Sequence, residues 1–193
     1  MAKRIITISR EFGSGGRYIG EHLANRLGYE LYDRDLISRV IQRTLLPESM
    51  VVAYNEAMKG NNHFSNLYLR DTSVNDTIID AQRKIILEIA EKKDCIIVGR
   101  CANHYLREWD EVLNVFIESD PTARIKRIAM LHNCSEADAL RMREEYDKKR
   151  SLYYQYCTNH SWADRTYFDI ILNSNQIGLD RCVDILEMIC KEA

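Results

Sequence analysis

The residues with the most chemical content follow a short apolar run near the start of the chain. Ile5-Ile6-Thr7-Ile8-Ser9 passes directly into Arg10-Glu11-Phe12-Gly13-Ser14-Gly15-Gly16-Arg17. Glycines at 13, 15 and 16 let successive backbone N–H groups curl into a nest for an anion. A helix starting immediately behind them adds the positive end of its dipole. Ser14 brings a hydroxyl, and Arg10 and Arg17 flank the turn. The plainer alternative is a tight strand-to-helix connection that needs flexible residues and binds nothing. Position and composition favour a phosphate loop in which Gly13, Ser14, Gly15, Gly16 and Arg17 hold the ligand.

Such a loop works only if rigid elements hold it. Besides 5–9, three β-branched runs read as strands: 95–99, 112–117 and 168–173, with 29–33 as a weaker fifth. Their nearly continuous apolar character suits strands covered on both faces, as in a parallel sheet. Helical spacing fills the gaps between them. Ile19, Leu23 and Leu27 recur every four residues over 16–27, and Gly28 stops that helix. Further helices are predicted over 76–92, from Pro121 to about Asn133, from 136 to about 156 behind the cap signal Ser135-Glu136-Ala137-Asp138, and over 178–191. Strands alternating with helices predict one α/β domain over 1–193, its parallel strands joined by right-handed crossovers. Residues 44–75, with Pro47 and Gly60-Asn61-Asn62, break the rhythm and read as a helical excursion on the C-terminal edge of the sheet.

Charge and cysteine content exclude several functions. Lys plus Arg number 27 against 29 Asp plus Glu, so no global basic field draws this chain to nucleic acid, and any anion site must be local. No window approaches the ~18 apolar residues of a membrane span, and the first apolar run is too short for a signal-peptide core. A cytoplasmic protein with reduced thiols is the expectation. The six cysteines form no Cys-x-x-Cys pair and no His-x-x-x-His accompanies them, so no residue is assigned to a metal.

Taken in order, the motifs resemble those of the nucleoside monophosphate kinases, and most closely the cytidylate-kinase-like family of P-loop proteins. The resemblance covers nearly the whole length. Gly13-Ser14-Gly15-Gly16-Arg17 looks like the family's phosphate loop. Asp33 falls where the second strand presents a substrate-side carboxylate, and Arg39 matches an arginine directed at the acceptor phosphate. Val98-Gly99-Arg100 resembles the segment whose arginine contacts the nucleoside monophosphate. Arg143, Asp147 and Arg150 fit the Arg-x3-Asp-x2-Arg lid spacing, whose arginines close over the phosphates being transferred. The stretch 168–174 looks like the last strand and the turn near the adenine. The resemblance therefore implies a three-layer P-loop NTPase fold with a five-stranded parallel sheet, an acceptor-binding excursion over 38–75 and a short helical lid over 134–157. It also implies ATP and Mg²⁺ as cofactors.

Phosphoryl transfer asks a protein for positioning and charge neutralisation more than for covalent chemistry, and arginine forks suit that work. Several residues also have a plainer reading. Asp33 equally fits an N-cap for a segment starting at Arg34, or a partner for a Mg²⁺-bound water. Arg143, Asp147 and Arg150 at i, i+4 and i+7 equally fit a salt-bridged surface helix, and Tyr153, Tyr154 and Tyr156 either stack on a base or pack that helix against the body.

Three positions depart from the family pattern. Gly16 stands where the catalytic lysine would be, Tyr18 where the Mg²⁺-side threonine would be, and Cys101 where cytidylate kinases carry an aspartate that reads cytosine. Two expectations follow. The first is a nucleotide-dependent phosphotransferase passing the γ-phosphate of ATP to a small acceptor such as a nucleoside monophosphate. Arg17, Arg143 and Arg150 would be its catalytic cations, with Arg17 replacing the lysine, and Asp33, Arg39, Arg100 and Asp147 would serve the acceptor. The second is a nucleotide-binding sensor or interaction protein that keeps the fold without turnover. The expected partners are a nucleotide and a small-molecule acceptor, with neither nucleic acid nor membrane. The apolar residues of 44–75 are a candidate homodimer contact.

Overall fold

A strand covered on both faces must divide its side chains between two cores, and β1 (Ile5–Arg10) does so. Ile5 joins Tyr32, Leu36, Ile78, Ile86 and Ile97 in one apolar cluster. Ile6 and Ile8 join Leu23, Ile96, Val98, Val115 and Leu186 in the other. The pleat sends successive residues to opposite faces, which is why the run reads as continuously apolar. The computed structural model describes residues 3–33, 36–44, 46–52, 72–92 and 94–192.

Five parallel strands form one sheet in the order β2-β3-β1-β4-β5. Beside β1 these are β2 (Glu30–Tyr32), β3 (Cys95–Val98), β4 (Val112–Glu118) and β5 (Ile170–Asn173). The described helices include α1 (Gly16–Leu27), α2 (Leu36–Thr44), α3 (Thr72–Lys92), α4 (Ala102–Tyr105), α5 (Pro121–His132), α6 (Glu136–Thr158), α7 (Ser174–Ile177) and α8 (Leu179–Glu192). Layers built on α1 and α8 cover one face, and α2, α3 and α4 the other, giving the predicted three-layer α/β architecture.

The register positions the site. Ile8 lies opposite Val98, and Arg10 opposite Ile117, so β1, β3 and β4 end on one edge. β1 sits between β3 and β4, so the connections leaving it and β3 diverge there. Such a crevice at the carboxyl ends of strands is where open α/β sheets bind ligands.

Several boundaries differ from the sequence reading. α3 begins at Thr72 rather than 76, and β5 at Ile170 rather than 168. Phe168 instead closes a 3₁₀ turn, Arg165–Tyr167, and packs edge-on against Phe116. The short helices α4 and α7 carry no periodicity long enough to have been predicted. Of the excursion over 38–75, α2 and the start of α3 are described, while 45 and 53–71, including Gly60-Asn61-Asn62, lie outside the described residues. The candidate dimer contact in 44–75 falls largely there too.

The expected lid is one long helix. Ser135 caps α6 by accepting a hydrogen bond from the Asp138 N–H at 3.1 Å, as the cap signal predicted. Ser135→Ala is expected to cost about 1 kcal/mol, measurable by urea denaturation. Toward its C-terminal end the tyrosines tie α6 to the body. Tyr154 is buried and accepts from Asn103 at 3.0 Å, Tyr153 donates to Gln82 at 3.3 Å, and Tyr156 donates to Asp76 at 2.8 Å.

Candidate active site

The glycine turn leaves β1 and enters α1 with left-handed residues at Gly13 (φ 81°) and Gly15 (φ 83°). A side chain at either position would be strained and obstructed. A Cβ at Gly13 would lie 2.8 Å from the Ile128 side chain, and one at Gly15 would overlap Leu179. Gly15 is the N-cap of α1, and no side chain caps the helix there and no acid occupies its first turn. The first N–H groups of a helix have no partner within it, so these are available to an anion. Ser14 shapes the turn. Its hydroxyl donates to the Glu11 carbonyl at 2.9 Å, and its own carbonyl accepts from Ser174 Oγ at 2.5 Å.

A buried arginine anchors the start of the turn from below. Arg124, 4 % exposed, donates through Nε to the Phe12 carbonyl at 2.9 Å, pairs with Glu11 at 2.9 Å and forms a very close pair with Asp147. Glu11 also accepts from the Ser119 N–H at 3.0 Å, and Asp147 from the Phe12 N–H at 2.8 Å. Arg127 donates to the Gly13 carbonyl at 2.7 Å. The loop is thus tied to β4, α5 and α6 at once. Burial raises the Asp147 carboxyl above its ordinary value, while the Phe12 N–H, Arg124 and Arg150 oppose that rise. Asp147 therefore orients the loop, its two oxygens turned to Phe12 and Arg124.

Arg10, Arg17 and Arg150 gather around Asp33 at the mouth, with Arg100 close enough to Arg10 to act on its charge. Arg10 lies 3.7 Å and Arg17 3.6 Å from its carboxylate. Burial lowers the pKa of Arg10, and the nearby charges of Arg100 and Arg17 act in the same direction against Asp33. Arg150 reaches across from α6, donates to the Arg10 carbonyl at 2.8 Å and lies over the Phe12 ring. Burial first, and then Arg10, bring its pKa down to about 9. Arg100 projects from the end of β3 in a left-handed conformation, φ 57°. Arg17 also pairs along α1 with Glu21 at 2.8 Å.

Two of the expected arginines are directed elsewhere. Arg143 pairs with Glu144 at 3.3 Å. Arg39 stands over the Tyr32 ring and lines a cavity of about 460 Å³ between α2 and α3, with Gln42, Arg43, Glu88 and Lys92. Of the departures from the family pattern, Tyr18 stacks on His22 and donates to Asp180 at 2.8 Å, on the side of α1 that meets α8. Cys101 is buried, its thiol pushed up by burial and hydrogen-bonded with Cys157. Among the described residues, no three His, Cys, Asp or Glu side chains form a group able to hold a metal.

A phosphate-type loop on the switch point of a five-stranded parallel sheet agrees with the match between residues 5–176 and the family model described as "Cytidylate kinase-like family". The chain belongs to the cytidylate kinase-like family. A cytidylate kinase of Methanosarcina barkeri is 27% identical over 186 residues, covering 95% of this chain and 94% of the relative. The crystal structure of an uncharacterized protein from Eubacterium ventriosum covers 98% of this chain and 99% of its own, with a TM-score of 0.75 and 26% identity. A shikimate kinase from Bacteroides thetaiotaomicron, at 15% identity and a TM-score of 0.56 over 97% of this chain and 98% of its own, shares the fold.

Within this cytidylate-kinase-like chain, sequence reasoning missed Arg124 and Arg127, and noted Arg10 only as a flank. A signal for Arg124 existed. It shares the core-facing side of α5 with Ile128, one turn on, where an arginine must have buried partners.

Proposed function

We propose that this cytidylate-kinase-like chain is a nucleotide-dependent phosphotransferase that passes the γ-phosphate of ATP to a small phosphorylated acceptor, in the first instance a nucleoside monophosphate. The observation that carries this reading is the gathering of Arg10, Arg17 and Arg150 about Asp33 at the mouth of the glycine turn, with Arg100 beside Arg10. Positive charge crowded there in excess of one carboxylate fits a polyphosphate.

In this reading the backbone of Gly13 to Arg17 cradles the β- and γ-phosphates. Arg17 and Arg150 neutralise charge developing on the transferred group, Arg143 joins them only on leaving its pair with Glu144, and Arg100 and Asp33 orient the acceptor. Asp147 acts at one remove, by holding the Phe12 N–H and Arg124. Arg39 lines its own cavity, so its role at the acceptor phosphate requires the acceptor to enter that cavity. Mg²⁺, an ion that commonly keeps several waters and takes only one or two carboxylates beside substrate phosphates, would supply further charge neutralisation. Asp33 is the carboxylate at the mouth that fits this role, since the hydroxyls of Ser14 and Tyr18 are turned to other partners.

A second reading, a nucleotide-binding sensor without turnover, is favoured by Gly16, which places no side chain on the phosphates. Calorimetric titration with ATP, GTP and CMP in the presence of Mg²⁺, followed by coupled ADP release over a panel of nucleoside monophosphates, separates the two. ATP binding with turnover on one acceptor is the expected result. Binding with no turnover above background on any of them rejects the kinase and leaves the sensor. As for location, no helix among the described residues is long and apolar enough to cross a membrane.

A further inference from the structure

Gly16 is a glycine for reasons of space. Its φ lies outside the left-handed region, so nothing in its backbone demands glycine. A Cβ there would instead lie 2.6 Å from Cβ of Arg10 and 3.0 Å from its Cγ. The stem of Arg10 fills the volume in which a side chain at 16 would begin.

From that point Arg10 crosses the end of β3. Its guanidinium lies so close over Gly99 that a Cβ at 99 would overlap Nη1. Gly99 is also left-handed, φ 79°. Glycines from two distant segments are therefore fitted around one arginine. Among the described residues the Arg10 guanidinium donates no hydrogen bond, and its ion contact with Asp33 is long, at 3.7 Å. The side chain is only 20% exposed. A cation so enclosed, with its donors unspent, at the mouth of an anion nest has a ligand as its natural partner. Arg17 is less enclosed, at 48% exposure, and already engages Glu21 at 2.8 Å.

We propose that Arg10, reaching from the last residue of β1, supplies the phosphate-facing cation of the glycine turn, from the space a side chain at position 16 would otherwise fill. This rests on the phosphotransferase reading above and names the residue that replaces the missing lysine. The two positions form an exchangeable pair, so a cation can enter from 10 or from 16, never from both.

The test uses the full chain, calorimetric titration with ATP plus Mg²⁺ and separately with inorganic tripolyphosphate, and thermal melting of every variant. Arg10→Met keeps the stem over Gly16 and removes the charge. It is expected to melt near the parent and to bind both ligands about tenfold or more weakly. Gly16→Lys alone should melt well below the parent, because its stem meets that of Arg10. Arg10→Gly combined with Gly16→Lys should melt closer to the parent than Gly16→Lys does, and bind tripolyphosphate more tightly than Arg10→Met. The inference is overturned if Arg10→Met binds like the parent, or if the paired exchange restores neither melting temperature nor affinity. A parent that binds neither ligand rejects the phosphotransferase reading itself, and this inference with it. A parent that binds while Arg10→Met is indifferent rejects the inference alone.

Discussion

Arg124→Met is expected to lower the stability of the folded chain by about 3–5 kcal/mol, the usual cost of removing one partner from a buried charge cluster. Methionine replaces the stem of the arginine but none of its donors. Glu11 and Asp147 would each remain largely buried as carboxylates with their cation gone, and the Phe12 carbonyl would lose its donor. That is a large fraction of the 5–15 kcal/mol that holds an ordinary domain together. The pH dependence follows from Asp147, whose carboxyl burial already holds above its ordinary value. Without Arg124 it should rise further. A group with a raised folded pKa stabilises the fold at pH below its unfolded value, and loses that contribution as pH climbs through the folded value. The variant should therefore be less impaired near the carboxylate range than at neutral pH. Adding Asp147→Asn should recover part of the loss, because the amide no longer needs the cation. Urea denaturation of the two single variants and the double variant, at acidic and neutral pH, checks this. A strictly additive result would show that the two residues do not act as a pair.

Arg150→Met is expected to show the opposite balance, little change in stability and a fall in turnover of about 10²–10³-fold, as when one transition-state donor is removed. Arg150 is half-buried and crowded by Arg10 and Arg124, with Asp147 and Asp33 opposing them. Its pKa is depressed to about 9, so the cost of keeping it charged is fully present at neutral pH and would be relieved only as pH rises through that value. Methionine removes this cost, which offsets the lost hydrogen bond to the Arg10 carbonyl. An anion bound beside Arg150 relieves the same cost. Tripolyphosphate should accordingly raise the melting temperature of the parent and do so much less for Arg150→Met. Melting curves with and without the anion, beside coupled ADP release on the best acceptor, provide both readouts. A variant that melts far below the parent would make Arg150 a structural residue.

The two variants separate what α6 does. Arg143, Asp147 and Arg150 share one face by spacing, and from the sequence that face reads equally as a lid or as a surface helix. The fold gives the three residues different tasks. Asp147 turns to Phe12 and Arg124, Arg150 to the Arg10 carbonyl, and Arg143 to its neighbour Glu144. The tyrosines on the same helix prove to be attachments to α3 and the Asn103 segment. Helical spacing shows which residues share a face but carries no information about what the face meets.

What the sequence determined by itself was the set of local features. The five strands, the capped helices and the glycine turn could be read because each rests on periodicity or on a backbone demand confined to a few neighbouring residues. Pleat alternation makes 5–9 a doubly buried strand, and Ser135 can cap only the helix that follows it. The family resemblance was visible for the same reason, since its motifs sit at the ends of those elements. Tertiary structure alone decided which charges work together. The contacts that define the site join Phe12 to Asp147, Phe12 to Arg124 and Arg10 to Arg150, across sequence separations of 135, 112 and 140 residues. No local pattern reaches so far. Only the parallel pairing of β1 with β3, and the turn of the chain back into α1, set a flanking arginine, Arg10, between Gly16 and Gly99.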